Sequence, residues 1–220
     1  MTILSRVPQH ELRVRAGRMA DSPNTRHRDV LSVFGELDGN ARETAGVIFR
    51  LEELPGQAPS YLIRSKIAPT NLTPGSQTRE ETGDLPEPGT AVAFRISVNA
   101  VQRTKTGIRP VYADGAIGCL LESGEISEQE ATRATEITPW LSAKLAPGLT
   151  DIRIVNHQRE VLGREGHGRR TSREDARTVQ IDLIDGIALV EDPIALQHLL
   201  DDGVGRAKSY GAGLLTVRPI

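Results

Sequence analysis

The sequence predicts an α+β fold of two tandem ferredoxin-like domains, each with the element order βαββαβ, the N-terminal one less regular. Two observations carry this prediction. Segments with apolar residues at every second position, typical of half-buried strands, alternate with segments that begin at helix caps. In the C-terminal half the order is strand, helix, strand, strand, helix, strand, which is the split βαβ arrangement of an antiparallel sheet with both helices on one face.

The C-terminal half has the clearer signals. Its first strand places Val92, Phe94 and Ile96 on one face. Gly107 marks a turn in a protruding ribbon, and Gly186 predicts a kink or bulge in a later strand. The predicted strands cover 89–102, 150–161, 177–190 and 213–219. One predicted helix covers 137–146, with Thr138 as its cap and Pro139 at its first position. The other begins at the Asp192 cap and Pro193 and ends at Gly203.

The N-terminal half repeats this order less regularly. We expect strands at 2–7, 44–53 and 59–66, and a helix over 22–37 with Ser22 or Asn24 as its cap. The proline-rich stretch that follows offers no second helix, so this half is an incomplete copy. We place the domain boundary near residue 88, giving domains of 1–88 and 89–220.

Composition limits the classes of function. The formal net charge of −2 gives no general attraction to nucleic acid, although basic residues cluster locally, and aromatic residues make up only 3% of the 220 residues. Cys119 is the only cysteine, which excludes an intrachain disulfide, and the histidines lack metal-ligand spacing. Neither a signal peptide nor an apolar run long enough for a membrane helix is present, so we expect a cytoplasmic protein.

His27 is the first candidate for chemistry. It lies near the start of the predicted helix and shares a face with Val30 and Phe34. A histidine that titrates near neutral pH can donate or accept a proton in catalysis. The alternative is a helix-end histidine at the edge of the core, with Arg26 and Arg28 as solvated neighbours.

Two basic segments are candidates for phosphate contacts. The first is a loop with four arginines among glycines, which can approach a polynucleotide backbone closely. The second is the ribbon around Gly107. The alternative for each is a solvated hairpin or edge. The candidate residues are Arg164, Arg169, Arg170 and Arg173 in the loop, and Arg103 and Lys105 in the ribbon.

The glycine-rich C-terminal stretch is not a nucleotide-binding loop. Dinucleotide loops and P-loops lie between a strand and a following helix, whereas this stretch follows a helix and precedes a strand. It is either a plain glycine turn or a backbone nest that holds a polynucleotide phosphate. Its candidate residues are Gly203, Gly205, Lys208, Gly211 and Gly213.

Three stretches resemble the CasE family, the CRISPR precursor-RNA endoribonucleases of type I-E systems. They are the opening MTILSRV, the helix RHRDVLSVF with His27 at the catalytic position, and the C-terminal stretch. The last is the most specific, because its GVGRAKSYGAGLL is similar to the family signature G-x-G-x-A-K-S-x-G-x-G-L-L. The middle of the chain fits by element order alone.

The resemblance implies metal-independent cleavage of repeat RNA at the 3′ base of a stem-loop. The 2′-OH would attack the adjacent phosphate and leave a 2′,3′-cyclic phosphate and a 5′-OH, with His27 as general acid or base. The product would stay bound within the Cascade complex, beside other Cascade subunits. It implies no cofactor, no metal, no membrane and no binding to DNA by this chain alone.

One position departs from the family pattern. Related enzymes often have a tyrosine three residues before the histidine, where this chain has Asn24. Asn24, Arg26 and Arg28 are therefore candidates for catalytic support. The alternatives are an RNA-binding subunit of the same complex with impaired catalysis, a nucleotide-dependent enzyme, or a structural protein with solvated basic loops.

Overall fold

The protein forms two compact units, seen here in a computed structural model. The first unit comprises the described residues of Met1–Asp84, Val161–Val179 and Ala207–Leu214. The second comprises those of Leu85–Glu160, Gln180–Arg206 and Leu215–Ile220. The structure describes residues 2–17, 22–36, 45–81, 85–105, 107–111, 123–124, 127, 129, 140–163 and 178–220.

The first unit is built on a four-stranded antiparallel sheet in the order β2-β3-β1-β4. Its central strands, β1 and β3, pair from Ile3 with Ser65 to Pro8 with Ser60. This order is the one that a ferredoxin-like fold requires, since the first and third strands lie side by side in the centre. The strands are β1 (Thr2–Pro8), β2 (Ile48–Glu52), β3 (Ser60–Ser65) and β4 (Gln77–Glu81).

The described residues between β1 and β2 include α1 (Gln9–Ala16) and α2 (Pro23–Leu31), the latter continued by a 3₁₀ turn over Ser32–Phe34. Residues 66–76, between β3 and β4, contain no helix, as the proline-rich sequence predicts. The core of this unit lies between the helices and one face of the sheet. Its buried apolar residues include Val7, Leu12, Val30, Val33, Phe34, Phe49, Tyr61 and Ile63.

The second unit has a four-stranded sheet in the order β10-β5-β9-β8, again the ferredoxin-like order. The predicted basic ribbon is present as a separate two-stranded sheet, in which Thr104 pairs with Gly107. The α+β class predicted from the sequence is thus confirmed. The strands are β5 (Ala91–Val98), β6 (Val101–Thr104), β7 (Gly107–Pro110), β8 (Leu149–Leu162), β9 (Val179–Val190) and β10 (Leu215–Pro219).

Helices α3 (Trp140–Leu145) and α4 (Pro193–Asp202) share one core with this sheet. Asp192 caps α4 as predicted, since its side chain accepts hydrogen bonds from two backbone N–H groups of the first turn, and Gly203 ends it. The predicted cap Thr138 lies outside the described residues. Within the described part of the chain, no helix is long and apolar enough to cross a membrane.

The bulge predicted at Gly186 is absent from the pairing of β9 with β5. That register is continuous from Ala91 opposite Leu189 to Val98 opposite Asp182. Gly186 has a different reason to be glycine: a Cβ there would lie 2.5 Å from the Phe94 ring and 2.6 Å from the Arg153 carbonyl oxygen. Close packing therefore explains this glycine.

Candidate active site

His27 lies one turn into α2, in the first unit. Ser22 caps this helix by accepting a hydrogen bond from the Thr25 backbone N–H at 3.1 Å, and Pro23 occupies the first helical position. Of the two caps that the sequence allowed, Ser22 is therefore correct. Val30, on the same face, is fully buried, whereas His27 is half-buried. The imidazole thus lies at the edge of the core, where a substrate can reach it.

A buried polar contact fixes α2 against the sheet. Asp29, with no exposed surface, accepts a hydrogen bond of 3.3 Å from the Tyr61 hydroxyl of β3. The Gln9 side chain of α1 in turn donates to the same hydroxyl. A buried polar group that is left without a hydrogen-bond partner destabilises the folded protein, so these bonds favour one position of the helix. They therefore also specify where His27 stands.

The segment Ala207–Leu214, which we call the tail loop, belongs to the same unit as His27. It contains a 3₁₀ turn over Lys208–Tyr210 that lies against α2 and β2. Ala207, with φ of 58°, and Gly211, with φ of 101°, flank the turn in left-handed conformations. The Tyr210 backbone N–H closes the turn on the Ala207 carbonyl at 2.9 Å. The glycine at 211 is required by this backbone geometry.

A buried ion pair on β2 holds the far end of the tail loop. The Arg50 guanidinium, 3% exposed, donates to Glu52 at 2.7 Å and to the Leu214 carbonyl at 3.4 Å. Glu52 also accepts a hydrogen bond of 2.8 Å from Arg6 of β1. The Leu214 side chain packs with Leu4 and Leu62. A polar and an apolar contact therefore anchor the loop on one face of the sheet.

The tail loop and α2 bring together two rings from opposite ends of the sequence. The imidazole of His27 and the phenol ring of Tyr210 have centroids 6.4 Å apart and planes inclined at 68°, an edge-to-face arrangement. His27 and the tail loop, which the sequence analysis singled out separately, therefore lie side by side in the first unit.

The alternative in which Arg26 and Arg28 are solvated neighbours of His27 holds for one of the two arginines. Arg28 is exposed, as expected for a solvated side chain. Arg26 is not solvated: it is 1% exposed and is among the largest fully buried side chains of the described residues. The alternative of a solvated side chain is therefore wrong for Arg26, because its long aliphatic stem packs inside the first unit. Asn24, in the first turn of α2, is half-buried.

The remaining predicted RNA-binding residues are distributed over both units. Lys208, Gly211 and Gly213 belong to the tail loop, whereas Gly203 and Gly205 precede it and belong to the second unit. The side chains of Arg103 and Lys105 are exposed on the ribbon of the second unit. Arg164, Arg169, Arg170 and Arg173 lie outside the described residues.

Sequence reasoning missed Tyr210, Arg50 and Glu52. Tyr210 occupies a variable position of the glycine-rich signature, and the strand pattern of β2 gives no sign that Arg50 and Glu52 are buried. Only the arrangement of β2 beside the tail loop reveals their roles. Among the described residues, no group of histidine, cysteine and carboxylate side chains could hold a metal ion.

Several solved structures of CRISPR-associated proteins align with this chain over nearly its whole length. The chain aligns over 100% of both lengths with a CRISPR endoribonuclease Cse3 bound to a 19-nucleotide RNA, at 21% identity and a TM-score of 0.66. Cas6e from Escherichia coli K-12 aligns over 100% of both chains at 19% identity and a TM-score of 0.60. Thermus thermophilus Cse3, bound to an RNA representing a pre-cleavage complex, aligns over 99% of both chains at 20% identity and a TM-score of 0.59.

These structures share the fold of this chain. No curated protein matches its sequence significantly. The sequence profile of a family described as CRISPR associated protein matches residues 3–219, nearly the whole chain. The protein therefore belongs to this family of CRISPR-associated proteins.

Proposed function

We propose that this protein is an endoribonuclease that cleaves CRISPR repeat stem-loops in precursor RNA without a metal ion. It then keeps the mature guide RNA and acts as a subunit of a Cascade complex. The observation that carries this proposal is the position of His27 beside the tail loop within one unit. A proton-transfer group and a glycine-rich segment that can lie along a phosphate backbone are what such a reaction needs.

The comparisons support the substrate class and the assembly. Two of the similar structures are Cse3 proteins bound to RNA, one of them described as a CRISPR endoribonuclease, and another is a CRISPR RNA-guided surveillance complex that aligns at 20% identity and a TM-score of 0.60. Family membership over residues 3–219 favours the same role for this chain. Metal independence rests on the resemblance of its motifs to the type I-E endoribonucleases.

In the proposed reaction the 2′ oxygen forms a bond to the adjacent phosphorus, and the bond from phosphorus to the 5′ oxygen breaks. One proton leaves the 2′-OH and another reaches the departing 5′ oxygen. His27 carries one of these two transfers, since it is half-buried at the site and its imidazole can either accept or donate. Lys208 of the tail loop supplies positive charge for the backbone phosphates.

The function is tested with a labelled repeat stem-loop in EDTA. We expect cleavage at the 3′ base of the stem, with a 2′,3′-cyclic phosphate on the upstream product, because the attacking group belongs to the RNA. A stem-loop with a 2′-deoxy nucleotide at the cleavage position is the matched control and stays intact. Binding without cleavage would favour the RNA-binding subunit, and cleavage that requires added magnesium would contradict the mechanism.

Lys208→Ala tests the tail loop as a phosphate-binding segment. We expect weaker binding of stem-loop RNA and a plot of log K against log salt whose slope is smaller by about 0.7 to 0.9, the contribution of one phosphate contact. The matched control is Lys66→Ala, which removes an exposed lysine outside the tail loop. A slope equal to that of the wild type would assign Lys208 a purely structural role.

A further inference from the structure

The contact between Tyr210 and His27 gives the tail loop a part in the chemistry besides binding. The two rings meet edge to face, with centroids 6.4 Å apart. In this geometry the positive edge of one ring faces the negative face of the other, which is worth about 0.5–1.5 kcal/mol for an aromatic pair. An energy of this size is enough to favour one orientation of a side chain that is only half-buried.

The backbone that carries Tyr210 is well fixed. The ring is on a 3₁₀ turn whose flanking residues, Ala207 and Gly211, both adopt left-handed conformations. Residues 211–214, directly after the turn, are all buried. The Arg50 guanidinium holds the carbonyl at the end of this segment. The Tyr210 ring is therefore presented to His27 by a rigid support.

The helical backbone of α2 does not by itself fix the direction of the His27 ring. Rotation about its χ1 and χ2 bonds would redirect both ring nitrogens without any change in α2. Proton transfer requires a ring nitrogen within about 2.6–3.2 Å of the reacting oxygen. A neighbouring ring that restricts this rotation thus contributes to rate without touching the RNA.

We propose that Tyr210 is a positioning residue, whose aromatic ring holds the His27 imidazole in the orientation needed for proton transfer. This inference rests on the proposed RNA-cleaving function. It assigns the effect to the ring of Tyr210, since the ring makes the contact with the imidazole. Phenylalanine at this position should therefore orient the imidazole as well as tyrosine does, whereas an aliphatic side chain should not.

The test compares Tyr210→Phe with Tyr210→Leu and Tyr210→Met in single-turnover cleavage of saturating stem-loop RNA. We expect Tyr210→Phe to cut within about threefold of the wild-type rate. The two aliphatic variants lose about 10- to 100-fold in rate, because small misplacements of a catalytic group have effects of this size. The Kd for RNA stays within about twofold in all three, since the ring acts on His27 and not on the RNA.

Two controls make the outcome specific. Val14→Ala removes an exposed apolar side chain of α1 in the same unit and leaves the rate unchanged. The NMR resonances of the His27 ring report the contact directly: they keep their ring-current shift in Tyr210→Phe and lose it in both aliphatic variants. Using leucine and methionine together guards against one variant that fails to fold.

Several results would overturn the inference. Wild-type rates in the aliphatic variants would remove the positioning role, and an equal loss in Tyr210→Phe would transfer it to the hydroxyl. A rate loss matched by an equal loss in RNA affinity would make Tyr210 a binding residue. If the wild type itself cuts no stem-loop RNA, the proposed function fails and this inference fails with it. If the wild type cuts and the aliphatic variants cut equally fast, this inference fails but the proposed function stands.

Discussion

His27→Ala is expected to abolish RNA cleavage while leaving stem-loop binding within about twofold of the wild type. Removing a general acid or base costs at least about 10²-fold in rate, and no other histidine of the described residues contacts the tail loop in an aromatic pair. RNA binding is retained, because the proposed phosphate contacts are made by lysine and arginine side chains and not by His27. Single-turnover cleavage in EDTA and an independent binding titration measure the two quantities separately.

His10→Ala is the matched control for this experiment. His10 is on α1 in the same unit, with its side chain 61% exposed, so its loss removes an imidazole without touching the site. We expect wild-type cleavage from this variant. A His27→Ala protein that cleaves at the wild-type rate would remove His27 from the mechanism, and one that fails to bind RNA would make it a binding residue.

The second large effect concerns stability and comes from a buried polar cluster in the second unit. Asp182 has no exposed surface and accepts hydrogen bonds from His157 at 2.8 Å, Arg159 at 2.7 Å and Gln180 at 2.9 Å. Asp182→Ala leaves these donors without their common acceptor inside the protein. Breaking a buried charge pair from one side costs about 3–5 kcal/mol. Urea unfolding at pH 7 measures the loss in unfolding free energy.

The Asp182 carboxylate also makes the stability of the folded protein depend on pH. Burial alone would raise the pKa of Asp182, but the hydrogen bonds from His157, Arg159 and Gln180, with the charge of Arg159, outweigh it and lower that pKa. A carboxyl whose pKa is lower in the folded state binds protons more readily when unfolded. Its stabilising effect is therefore complete above the unfolded pKa of about 3.9 and is lost as the pH falls through the folded value.

Asp182→Asn isolates this pH dependence, because it keeps the shape of the side chain and removes its titration. The difference in unfolding free energy between wild type and variant should be constant from pH 7 to about 5 and shrink below about pH 4. Asp151→Asn, at an exposed position of β8, is the matched substitution measured alongside it. A wild-type advantage that stays constant down to pH 3 would contradict the assigned direction of the pKa.

The sequence predicted the elements that have strong local signals and missed those without them. The strands of the second unit alternate clearly, and α4 has a cap, a starting proline and a terminal glycine. Helix α1 was not predicted, because Leu12 is its only buried apolar residue and its charges are spread around it. Strand β4 is charged and mostly exposed, so it shows no alternation, and only pairing with β1 defines it.

The candidate site, too, could be predicted only where its residues have local sequence signals. His27 and the glycine-rich stretch could be found from local patterns, since a helix start and left-handed glycines depend on nearby residues. That Tyr210 meets His27 depends on the long-range packing of the tail loop, which no local pattern encodes. The burial of Arg26 is likewise a tertiary effect, because its neighbours in sequence are polar.

In the proposed mechanism, His27 performs proton transfer at the phosphate to be cleaved. A structure with a repeat stem-loop that carries a 2′-fluoro nucleotide at the cleavage position tests it most directly, since this RNA keeps an atom at the 2′ position but cannot react. We expect a ring nitrogen of His27 within about 3.5 Å of the 2′ fluorine or of the 5′ oxygen. An imidazole farther than about 6 Å from both atoms would contradict it.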